Sequence, residues 1–539
     1  MSNFDLLYTW ATYIVLLVLS CLPLLSVYRS FLHPLRRYPG PWLAKITDGY
    51  GGYNATRMRL HLAVKRDLDK YGPVYRQGPN RLVFNTATAL KGLSNRAIQV
   101  VTGLALIATD IYNSERIGKS FVYTTLLKAK TSPNVFNVLD KQLHRSKRKV
   151  IGQAVTERAM RLFESTLQQQ VDIFIEQLKS SKGPTDISPR CRYVGLDTIG
   201  LLAFGYDLNT QQNLEHRFVL DGLFAGNLKS NIIFQIPLLE ALGINAVLSR
   251  LSGSSRVRFW GLLDKMTTSR LSMGKNARSD LVSFVAEGPQ GAAMDDAQLR
   301  ELLFSEGYFF VAAGGDTTAA SLGALLFYLS REVNSEAYRK LADEIRTTFP
   351  SAEEIRSGPK LSGCHYLRAC IDEALRMSPP IPGIAWRQQA AEDPQKGQPL
   401  IIDGHVIPPG TQLGVSAYAL HHNEEYFPSP FSFQPERWLN AEKDAAQAAK
   451  MRSAFMPFSV GSRSCAGKAM AYLEASLVIA KTLWHFDFAA APGELGRLGG
   501  GGPGKGFGRE RPDEYQLYDI FASSHDGPCL VFTPRDQKK

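Results

Sequence analysis

One cysteine lies in a glycine-punctuated stretch that could bind a metal cofactor. Residues 458–467 read Phe-Ser-Val-Gly-Ser-Arg-Ser-Cys-Ala-Gly, and an apolar helical run follows them. A Cys465 thiolate presented in this way can form the axial bond to a heme iron, where its electron donation favours O–O cleavage. Phe458 would shield the sulfur from water, and Gly461 and Gly467 would let the backbone approach the cofactor closely. An isolated cysteine is more often a small buried hydrophobe, so this assignment depends on the whole pattern.

A second cluster interrupts a long apolar run. The residues Ala313-Gly-Gly-Asp316-Thr317-Thr318 lie inside a segment, 294–332, whose apolar side chains recur at helical spacing. Two adjacent glycines in a helix cost about 1 kcal/mol each relative to alanine, so another interaction should offset them. Either this helix packs closely against another one, or its backbone ladder opens locally and leaves room for dioxygen and water. The residues alone leave both explanations open.

Charged residues at helical spacing accompany these two motifs. Glu373 and Arg376 are three residues apart, and on a helix surface such a pair contributes about 0.2–0.5 kcal/mol. His144 and Arg148 are four residues apart and share a helix face. The neighbouring positions 145, 147 and 149 are also cationic, and we predict that they form a solvated basic face. Exposed cations of this kind could contact an acidic protein partner.

The helices that would hold these residues have recognisable ends. The first is predicted over residues 294–332 and can be capped by Asp295 or Asp296. The second is predicted over residues 364–377 and stops at Ser378-Pro-Pro, because proline cannot continue the hydrogen-bond ladder of a helix.

Short strands and turns are predicted elsewhere in the chain. Residues 81–85 are typical of a strand, and residues 400–416 of paired strands around turns at Asp403-Gly404 and Pro408-Pro-Gly410. The glycine-rich stretch 499–505 lacks the hydroxyl residue that a phosphate-binding loop needs, so we predict a flexible surface loop there.

Length and composition fit a large globular chain. Its 539 residues are 44% hydrophobic and 21% charged, as in ordinary folded domains. The formal net charge of +12 could attract anionic lipid headgroups or an acidic protein. Nucleic-acid binding is the competing explanation, but the sequence has no recognised binding motif, so we expect no nucleic-acid partner. The six cysteines form no CxxC pair, which favours a reducing compartment over a disulfide framework.

The amino-terminal segment 1–28 is predicted to anchor the chain in a membrane. No charged residue occurs from Leu6 to Tyr28, a stretch long enough to span a bilayer at about 1.5 Å rise per residue. Basic residues follow it, so positive-inside counting leaves the rest of the chain in the cytosol. A cleaved signal peptide is the alternative, but it normally has a basic start and a shorter apolar region. The proline-rich stretch 29–45 suits a hinge, and residues 46–539 would form the main domain.

Together these features resemble the cytochrome P-450 heme-thiolate monooxygenases, from the anchor to the last strands. The resemblance implies a mainly α chain with a small β region, the cytochrome P-450 fold, preceded by one N-terminal transmembrane helix. It implies heme b as the cofactor, with Cys465 as the axial ligand of the iron. It also favours local opening of the long helix at Gly314-Gly315. Thr317 would then hold a water molecule through its hydroxyl, and Asp316 would help to relay protons.

The resemblance also assigns roles to the charged residues. His144, Arg148, Arg387 and Arg463 would bind the heme carboxylates. Many family members carry tryptophan where His144 stands, but histidine can still donate a hydrogen bond to a carboxylate.

A further segment resembles the family's partner for the Glu373 pair. It reads Phe433-Gln-Pro-Glu-Arg437-Trp. Arg437 would join Glu373 and Arg376 in a buried network with a structural role beneath the heme. Removal of one partner would leave a buried charge unpaired, at several kcal/mol.

One segment departs from the family pattern. In the family pattern, the segment that ends at Lys91 would be followed almost directly by the segment that begins at Asp110. In this chain, residues 92–109 lie between them. We interpret them as a recent insertion or a retained intron, since surface loops tolerate extra length. Such a segment near the substrate pocket could damage the site. A mature transcript that encodes it would exclude the intron.

The resemblance implies an O₂-dependent monooxygenase that oxidises an apolar secondary-metabolite intermediate, such as a polyketide, terpenoid or alkaloid. It would lie in the endoplasmic reticulum membrane as a single-pass protein and contact membrane lipid. Electrons would come from NADPH-cytochrome P-450 reductase, because the chain has no flavin or nicotinamide fingerprint. Two alternatives stay open: an isomerase, dehydratase or ring-coupling enzyme of the same fold, and a catalytically inactive heme- or lipid-binding membrane protein.

Overall fold

Helices form most of the protein core in the computed structural model, and strands form small sheets at its edges. The structure describes residues 10, 12–13, 20–91, 99–101, 104–106, 110–126, 132–155, 157–244, 253–274, 280, 283, 294–395, 397–440 and 444–535. Within these residues the predicted fold class, mainly α with a small β region, is confirmed.

The helices differ widely in length, and the longer ones form the core. The α-helices are α1 (Trp42–Ile46), α2 (Gly49–Thr56), α3 (Leu60–Tyr71), α4 (Ala87–Lys91), α5 (Lys141–Ala154), α6 (Glu157–Lys179), α7 (Ile187–Phe204), α8 (Phe218–Gln235), α9 (Leu238–Ala241), α10 (Gly253–Ser272), α11 (Asp296–Leu329), α12 (Ser335–Thr348), α13 (Pro359–Ser362), α14 (His365–Met377), α15 (Ala417–His421), α16 (Ala445–Ala454) and α17 (Lys468–His485).

The strands are short. They are β1 (Val74–Gly78), β2 (Arg81–Phe84), β3 (Gln99–Val101), β4 (Leu104–Leu106), β5 (Ile117–Lys119), β6 (Thr185–Asp186), β7 (Arg387–Gln389), β8 (Leu400–Ile402), β9 (His405–Ile407), β10 (Gln412–Val415), β11 (Phe486–Ala490) and β12 (Cys529–Pro534). The largest sheet has the order β1-β2-β10-β7-β5, a second sheet has the order β11-β12-β6, and β3-β4 and β8-β9 are separate antiparallel pairs.

The long helix α11 runs through the core, and its start follows from local chemistry. Of the two predicted caps, Asp295 is the one used: its carboxylate accepts from the Gln298 N–H at 2.8 Å, and the Gln298 side chain accepts from the Asp295 N–H at 3.3 Å. This reciprocal capping box satisfies two N–H groups that the helix cannot pair. The helix ends at Leu329, three residues before the predicted end.

The two glycines of α11 allow close packing against α7. A Cβ atom at Gly314 would lie 2.8 Å from Ile199 Cγ1, and a Cβ atom at Gly195 of α7 would lie 2.7 Å from the Gly315 carbonyl oxygen. The helix continues without interruption from Asp296 to Leu329. Close helix packing therefore accounts for the glycines, and the local opening of the backbone ladder stays a prediction.

The predicted strands around residues 400–416 belong to two different sheets. The β8-β9 pair is a hairpin around Asp403-Gly404, where both residues have positive φ, +49° and +78°. Strand β10 pairs with β2 and β7 instead. It thereby joins the sheet that carries Arg387, whereas the residue pattern predicted only local pairing.

The glycine-rich stretch is partly buried, so the prediction of a flexible surface loop is wrong for its first residues. Gly499, Gly500 and Gly501 are buried, and the Gly501 N–H donates to the Arg511 carbonyl at 2.9 Å. A Cβ atom at Gly501 would lie 2.2 Å from that carbonyl oxygen. Close backbone packing explains the glycines here.

The amino-terminal region is only partly described. Residues 1–9, 11 and 14–19 of the predicted anchor lie outside the described residues. The predicted hinge packs onto the domain, since Leu35 is fully buried and the Arg76 N–H donates to the Pro39 carbonyl at 2.7 Å. Among the described residues, Ala297–Leu329 is the helix long and apolar enough to cross a membrane, and 61% of its apolar window is buried in the core.

The predicted insertion is also partly described. Its residues 99–101 and 104–106 form the antiparallel pair β3-β4, and the rest lies outside the described residues. Whether this segment is an insertion or a retained intron stays a hypothesis.

Candidate active site

A cavity of about 860 Å³ lies at the centre of the fold. Helices α5, α7, α8 and α11, strands β5 and β7, and the loop before α17 contribute its walls. It brings together every predicted cofactor-binding residue, namely His144, Arg148, Arg387, Phe458, Arg463, Cys465 and Gly467. Thr317 also lines it.

A tight loop holds Cys465 at the wall of this cavity. The Cys465 N–H donates to the Phe458 carbonyl at 2.9 Å. Gly461 has φ +78°, and a Cβ atom there would lie 2.3 Å from the Tyr112 carbonyl oxygen. Only glycine combines this conformation with this close approach. Gly467 precedes the first turn of α17, so the sulfur lies at a helix N-terminus.

Burial is the larger of two opposing effects on the Cys465 thiol. It raises the pKa of the thiol above its usual value, and the Gly467 N–H and the cations Arg148 and Lys468 oppose this rise only in part. The Cys465 side chain is exposed and lines the cavity. The Phe458 ring packs against the Tyr472 ring, with 5.1 Å between ring centroids. This loop therefore presents the sulfur towards the cavity beside two positive charges that favour a thiolate.

Three arginines at the cavity wall are held by backbone carbonyls. Arg148 donates to the Ser464 carbonyl at 2.7 Å, and Arg463 donates to the Val138 and Leu139 carbonyls at 2.6 and 3.0 Å. Arg387 donates to the Trp386 carbonyl at 3.2 Å. Within the described residues, no carboxylate lies within ion-pair distance of these arginines. This part of the cavity wall therefore has a surplus of positive charge.

The same surplus is visible in the titration of the neighbouring groups. Burial, followed by the charges of Arg463 and the other nearby cations, lowers the pKa of His144 to about 3. Burial and the charge of Arg387 lower the pKa of Arg463 to about 10. A bound group with two carboxylates would relieve this repulsion. A thiol at the wall of an apolar cavity, together with these cations, fits heme b.

The sequence patterns predicted the wrong environment for Lys147 and did not identify Lys119 as a cavity residue. Lys147 is not part of a solvated basic face, because its side chain is buried. Its ammonium donates to the carboxylate of Glu306 at 2.8 Å, and Glu306 is also buried. Lys119 is buried and lines the cavity, although its surrounding residues carry no motif. Its position beside Arg387 follows from the pairing of β5 with β7, which no local pattern predicts.

The predicted proton-transfer pair has a defined geometry on α11. The Thr317 hydroxyl lines the cavity and donates to the Ala313 carbonyl at 2.7 Å. The Asp316 carboxylate accepts from the Asn227 amide of α8 at 3.3 Å. Burial raises the pKa of Asp316 to about 6, and the more distant Arg192 partly opposes this. A carboxyl with this pKa can exchange protons near neutral pH.

Glu373, Arg376 and Arg437 lie together in a buried cluster. Arg376 forms two hydrogen bonds to the Glu373 carboxylate, at 2.8 and 3.0 Å, and Arg437 forms one at 3.0 Å. The Trp438 indole N–H donates to the same carboxylate at 2.9 Å, a contact that the patterns did not predict. Burial opposes the charged form of Glu373, but the two arginines hold the pKa of Glu373 below its usual value.

Arg376 connects this cluster to the last residue of α15 and to the loop that follows it. Its guanidinium donates to the carbonyls of His421 and Pro430, at 3.0 and 2.7 Å. The His421 imidazole in turn accepts from the Met456 N–H at 2.9 Å. Met456 is two residues before Phe458, so the cluster reaches the loop that carries Cys465.

Glu474 is a buried acid that the patterns also missed. It is the acidic residue of α17, is 2% exposed, and lines the cavity. Its Oε1 atom has no hydrogen-bond partner among the described residues. Burial raises the pKa of Glu474 to about 8. The sequence did contain a signal for Glu474, namely an acidic residue inside an otherwise apolar helical run.

We expect the Glu474→Gln variant to resist unfolding better than the wild type at pH 8. Burial raises the pKa of Glu474 in the folded protein from the ordinary glutamic acid value of 4.5 to about 8. The stability of the folded state that is present below pH 4.5 is therefore lost as the pH rises towards 8. At pH 8 the free energy of unfolding of the variant should exceed that of the wild type by on the order of 2–4 kcal/mol. This difference should vanish near pH 4.5. Urea unfolding of the holoprotein at both pH values measures it. Glu494→Gln, at an exposed glutamate, is the control, and an equal gain at both pH values would contradict the prediction.

Comparison with known proteins agrees with this geometry. Residues 92–497 match the family model described as Cytochrome P450. The chain is 33% identical to Cytochrome P450 monooxygenase AKT7 of Alternaria alternata, over 98% of each chain. It is 33% identical to Cytochrome P450 monooxygenase poxM of Penicillium oxalicum, over 94% of this chain and 92% of that protein. The chain therefore belongs to the cytochrome P450 family, as an O₂-dependent oxidoreductase whose cofactor is heme b.

Proposed function

We propose that this chain is a membrane-anchored monooxygenase that inserts one oxygen atom from dioxygen into an apolar secondary-metabolite intermediate, of polyketide, terpenoid or alkaloid type. The observation that carries the proposal is that one mostly apolar cavity is lined by both the Cys465 thiol and the Thr317 hydroxyl. These two groups belong to separate elements, and the fold brings them to the same space.

Cys465 would bind the heme iron through its sulfur, and three arginines together with His144 would hold the heme carboxylates. Bound heme supplies the redox chemistry by which dioxygen is cleaved, and thiolate donation favours that cleavage. Arg148, Arg387 and Arg463 would hold the carboxylates by charge-assisted hydrogen bonds. His144 is neutral at pH 7, given its pKa of about 3, and so contributes one N–H donor rather than a charge.

Thr317 and Asp316 are the proposed proton-transfer residues. The Thr317 hydroxyl faces the cavity and can hold a water molecule there, with its own hydrogen shared with the Ala313 carbonyl. Asp316 accepts from Asn227, so its carboxyl is oriented towards α8, and Asn227 itself lines the cavity. A carboxyl in this position can take part in proton transfer to the cavity.

The cavity favours an apolar substrate with an aromatic or polycyclic body. The Phe136 and Phe309 rings stack with 5.5 Å between centroids and an interplanar angle of 11°. The Phe521 ring meets Phe136 edge to face at 5.7 Å. Ile384 and Ala385 line the same cavity. Apolar walls with few polar groups are typical of sites for apolar ligands.

The electron donor and the location complete the proposal. Family members take electrons from a redox partner, and we propose NADPH-cytochrome P-450 reductase for this role. The segment 1–28 is the proposed anchor in the endoplasmic reticulum membrane, with the catalytic domain in the cytosol. Support comes from the exposed apolar side chains of Leu22, Leu24 and Phe31, which would contact lipid.

Co-expression with the reductase, feeding of candidate metabolites and supply of ¹⁸O₂ test the proposal. A monooxygenase adds one labelled oxygen atom to its product. An isomerase or dehydratase adds none, and a ring-coupling enzyme consumes dioxygen without adding label. An unlabelled product would therefore replace the proposed reaction with one of these alternatives, and absence of any product with every metabolite would favour an inactive binding protein.

We expect Thr317→Ala to uncouple NADPH consumption from product formation. Loss of the hydroxyl removes the group that holds water in the cavity, so product formed per NADPH should fall by a factor of about 10–100. Thr347→Ala is the matched control, because the Thr347 hydroxyl makes the same bond to the carbonyl four residues earlier, at 2.7 Å, on the exposed face of helix α12. Unchanged coupling in Thr317→Ala would contradict this role.

A further inference from the structure

Helix α8 carries three amide side chains on one face. Asn227, Asn231 and Gln235 are each four residues apart, so they lie one above the other along the helix. Asn231 and Gln235 are buried, whereas Asn227 lines the central cavity. The buried amides need partners, because a buried polar group without a hydrogen bond is unfavourable.

The two buried amides tie α8 to other segments of the chain. Asn231 donates to the Asp519 carboxylate at 3.0 Å and to the Asp519 carbonyl at 2.9 Å. The Gln235 side chain accepts from the Arg81 guanidinium at 3.1 Å. The Asp519 carboxylate also accepts from the backbone N–H of His61, at 3.0 Å. These contacts fix the direction in which the amide face of α8 points.

Arg81 also holds the carboxyl-terminal end of α8. Its guanidinium donates to the Phe234 and Gln235 carbonyls at 2.7 and 3.0 Å. The last carbonyls of a helix have no partner within the helix, and a cation is favourable there. Arg81 is 1% exposed, so this contact belongs to the folded core. The helix end is therefore held in place, and Asn227 lies about two turns before it.

Asn227 forms the third contact, with Asp316 of α11. Its amide donates to the Asp316 carboxylate at 3.3 Å, and within the described residues no other side chain donates to that carboxylate. Arg192 of α7 is the charged neighbour, and it opposes the effect of burial on the pKa of Asp316 only in part. The orientation of the Asp316 carboxyl therefore depends on Asn227.

Asp316 and Thr317 point in different directions from α11. Consecutive residues of an α-helix are about 100° apart. Thr317 lines the cavity together with Ala313 one turn earlier, whereas Asp316 is turned towards α8. Asn227 lines the cavity and also contacts Asp316, so it lies at the boundary between the two. A carboxyl that exchanges protons with water in the cavity has to be held at this boundary.

We propose that Asn227 is a positioning residue, which holds the Asp316 carboxyl at the boundary of the cavity for proton transfer. The proposal rests on the proposed function and deepens it, because it adds a residue that acts through Asp316. Asn227 exchanges no proton itself, since its side chain is a neutral amide. The proposal also connects proton transfer to the position of α8: where α8 moves away from α11, Asp316 loses this donor.

The test compares Asn227→Leu, which keeps the shape of the side chain without its hydrogen bonds, with Asn227→Gln, which keeps the amide. Asn440→Leu, at an exposed asparagine, is the control. The ionisation of Asp316 is followed in the holoprotein by infrared titration of its carboxyl band, which subtraction of the Asp316→Asn spectrum identifies.

Proton transfer is followed in the same variants by the NADPH-driven reduction of dioxygen, with the reductase and without added substrate. NADPH supplies the electrons, and dioxygen takes up one proton for each electron, whether hydrogen peroxide or water is formed. The rate is measured in H₂O and in D₂O, because a reaction limited by proton transfer slows in D₂O.

Asn227→Leu should change both measurements. The midpoint of the Asp316 titration should move to higher pH by about one pH unit, because a hydrogen bond to the charged form is lost. Dioxygen reduction should slow about tenfold and show a larger D₂O effect, since a misplaced acid makes proton transfer limiting. Asn227→Gln should restore the midpoint and most of the rate. A midpoint and a D₂O effect equal to those of Asn440→Leu would overturn the proposal, and so would a shifted midpoint with an unchanged D₂O effect.

A double-mutant cycle separates an action through Asp316 from a general effect on the cavity. Asn227→Leu should slow dioxygen reduction in the wild type but cause no further slowing in Asp316→Asn. Equal slowing in both backgrounds would show that Asn227 does not act through Asp316 and would overturn the proposal. Where Asn227→Leu fails to fold, Asn227→Ala is measured in the same assays and judged by the same criteria.

The reduced carbonyl spectrum of the wild type reports separately on the proposed function. A wild type without the red-shifted Soret band contradicts the proposed function. A normal band with an unaltered Asn227→Leu variant contradicts only the positioning role of Asn227.

Discussion

Replacement of Cys465 with serine is expected to abolish the red-shifted Soret band of the reduced carbonyl complex and to reduce monooxygenase activity to background. A serine hydroxyl does not ionise near neutral pH, so it cannot supply the anionic sulfur that gives heme-thiolate proteins their chemistry. The loop itself should persist, because the Cys465 N–H bond to the Phe458 carbonyl and the positive φ of Gly461 do not involve the sulfur. Difference spectroscopy of the purified variant and turnover with the reductase measure the two effects.

Cys364→Ser is the matched control for this experiment. Cys364 is buried, and its thiol donates to the Lys360 carbonyl at 3.4 Å, a bond that a serine hydroxyl can replace. This variant should keep both the red-shifted band and the activity. A red-shifted band in Cys465→Ser would show that another residue ligates the iron, and the assignment of the whole site would fail.

Replacement of Glu373 with glutamine is expected to destabilise the protein by about 3–5 kcal/mol, the usual effect of removing one partner from a buried ion pair. Glu373 and Arg376 are both fully buried, so the arginine would keep its charge without a counter-ion. Because Arg376 also holds the carbonyls of His421 and Pro430, its displacement should disturb the Cys465 loop. Urea unfolding and the heme content of the purified variant measure the loss.

Glu336→Gln is the control for Glu373→Gln. Glu336 pairs with Lys340 on α12, but its side chain is 71% exposed, and exposed pairs contribute little. We expect no measurable change in stability or heme content there. A Glu373→Gln variant as stable as Glu336→Gln would show that the buried cluster does not support the loop.

Local patterns in the sequence predicted the elements whose determinants are close together in the chain. The cap at Asp295 and the proline stop after Met377 act within a few residues, so the limits of α11 and α14 could be predicted to within a few residues. The turn at Asp403-Gly404 is local in the same sense. The loop around Cys465 was recognisable because its glycines, arginine and cysteine all lie within residues 461–467.

Interactions between distant segments were not predictable in this way. The glycine pair of α11 admitted two explanations until the approach of α7 showed that close packing accounts for it. The position of Lys147 on α5 suggested exposure, but Glu306 of α11 lies against it in the core. In both cases the deciding neighbour is more than a hundred residues away.

The sequence by itself therefore determined the family, the heme ligand candidate and the residues able to bind carboxylates, because these depend on residue types at short, fixed spacings. The tertiary structure alone decided which cations share the cavity, that Lys119 joins them through the pairing of β5 with β7, and that Glu474 is buried at its wall. The physical reason is that burial and electrostatic repulsion depend on distances in space. Those distances are set by helix packing and strand pairing between segments far apart in the chain.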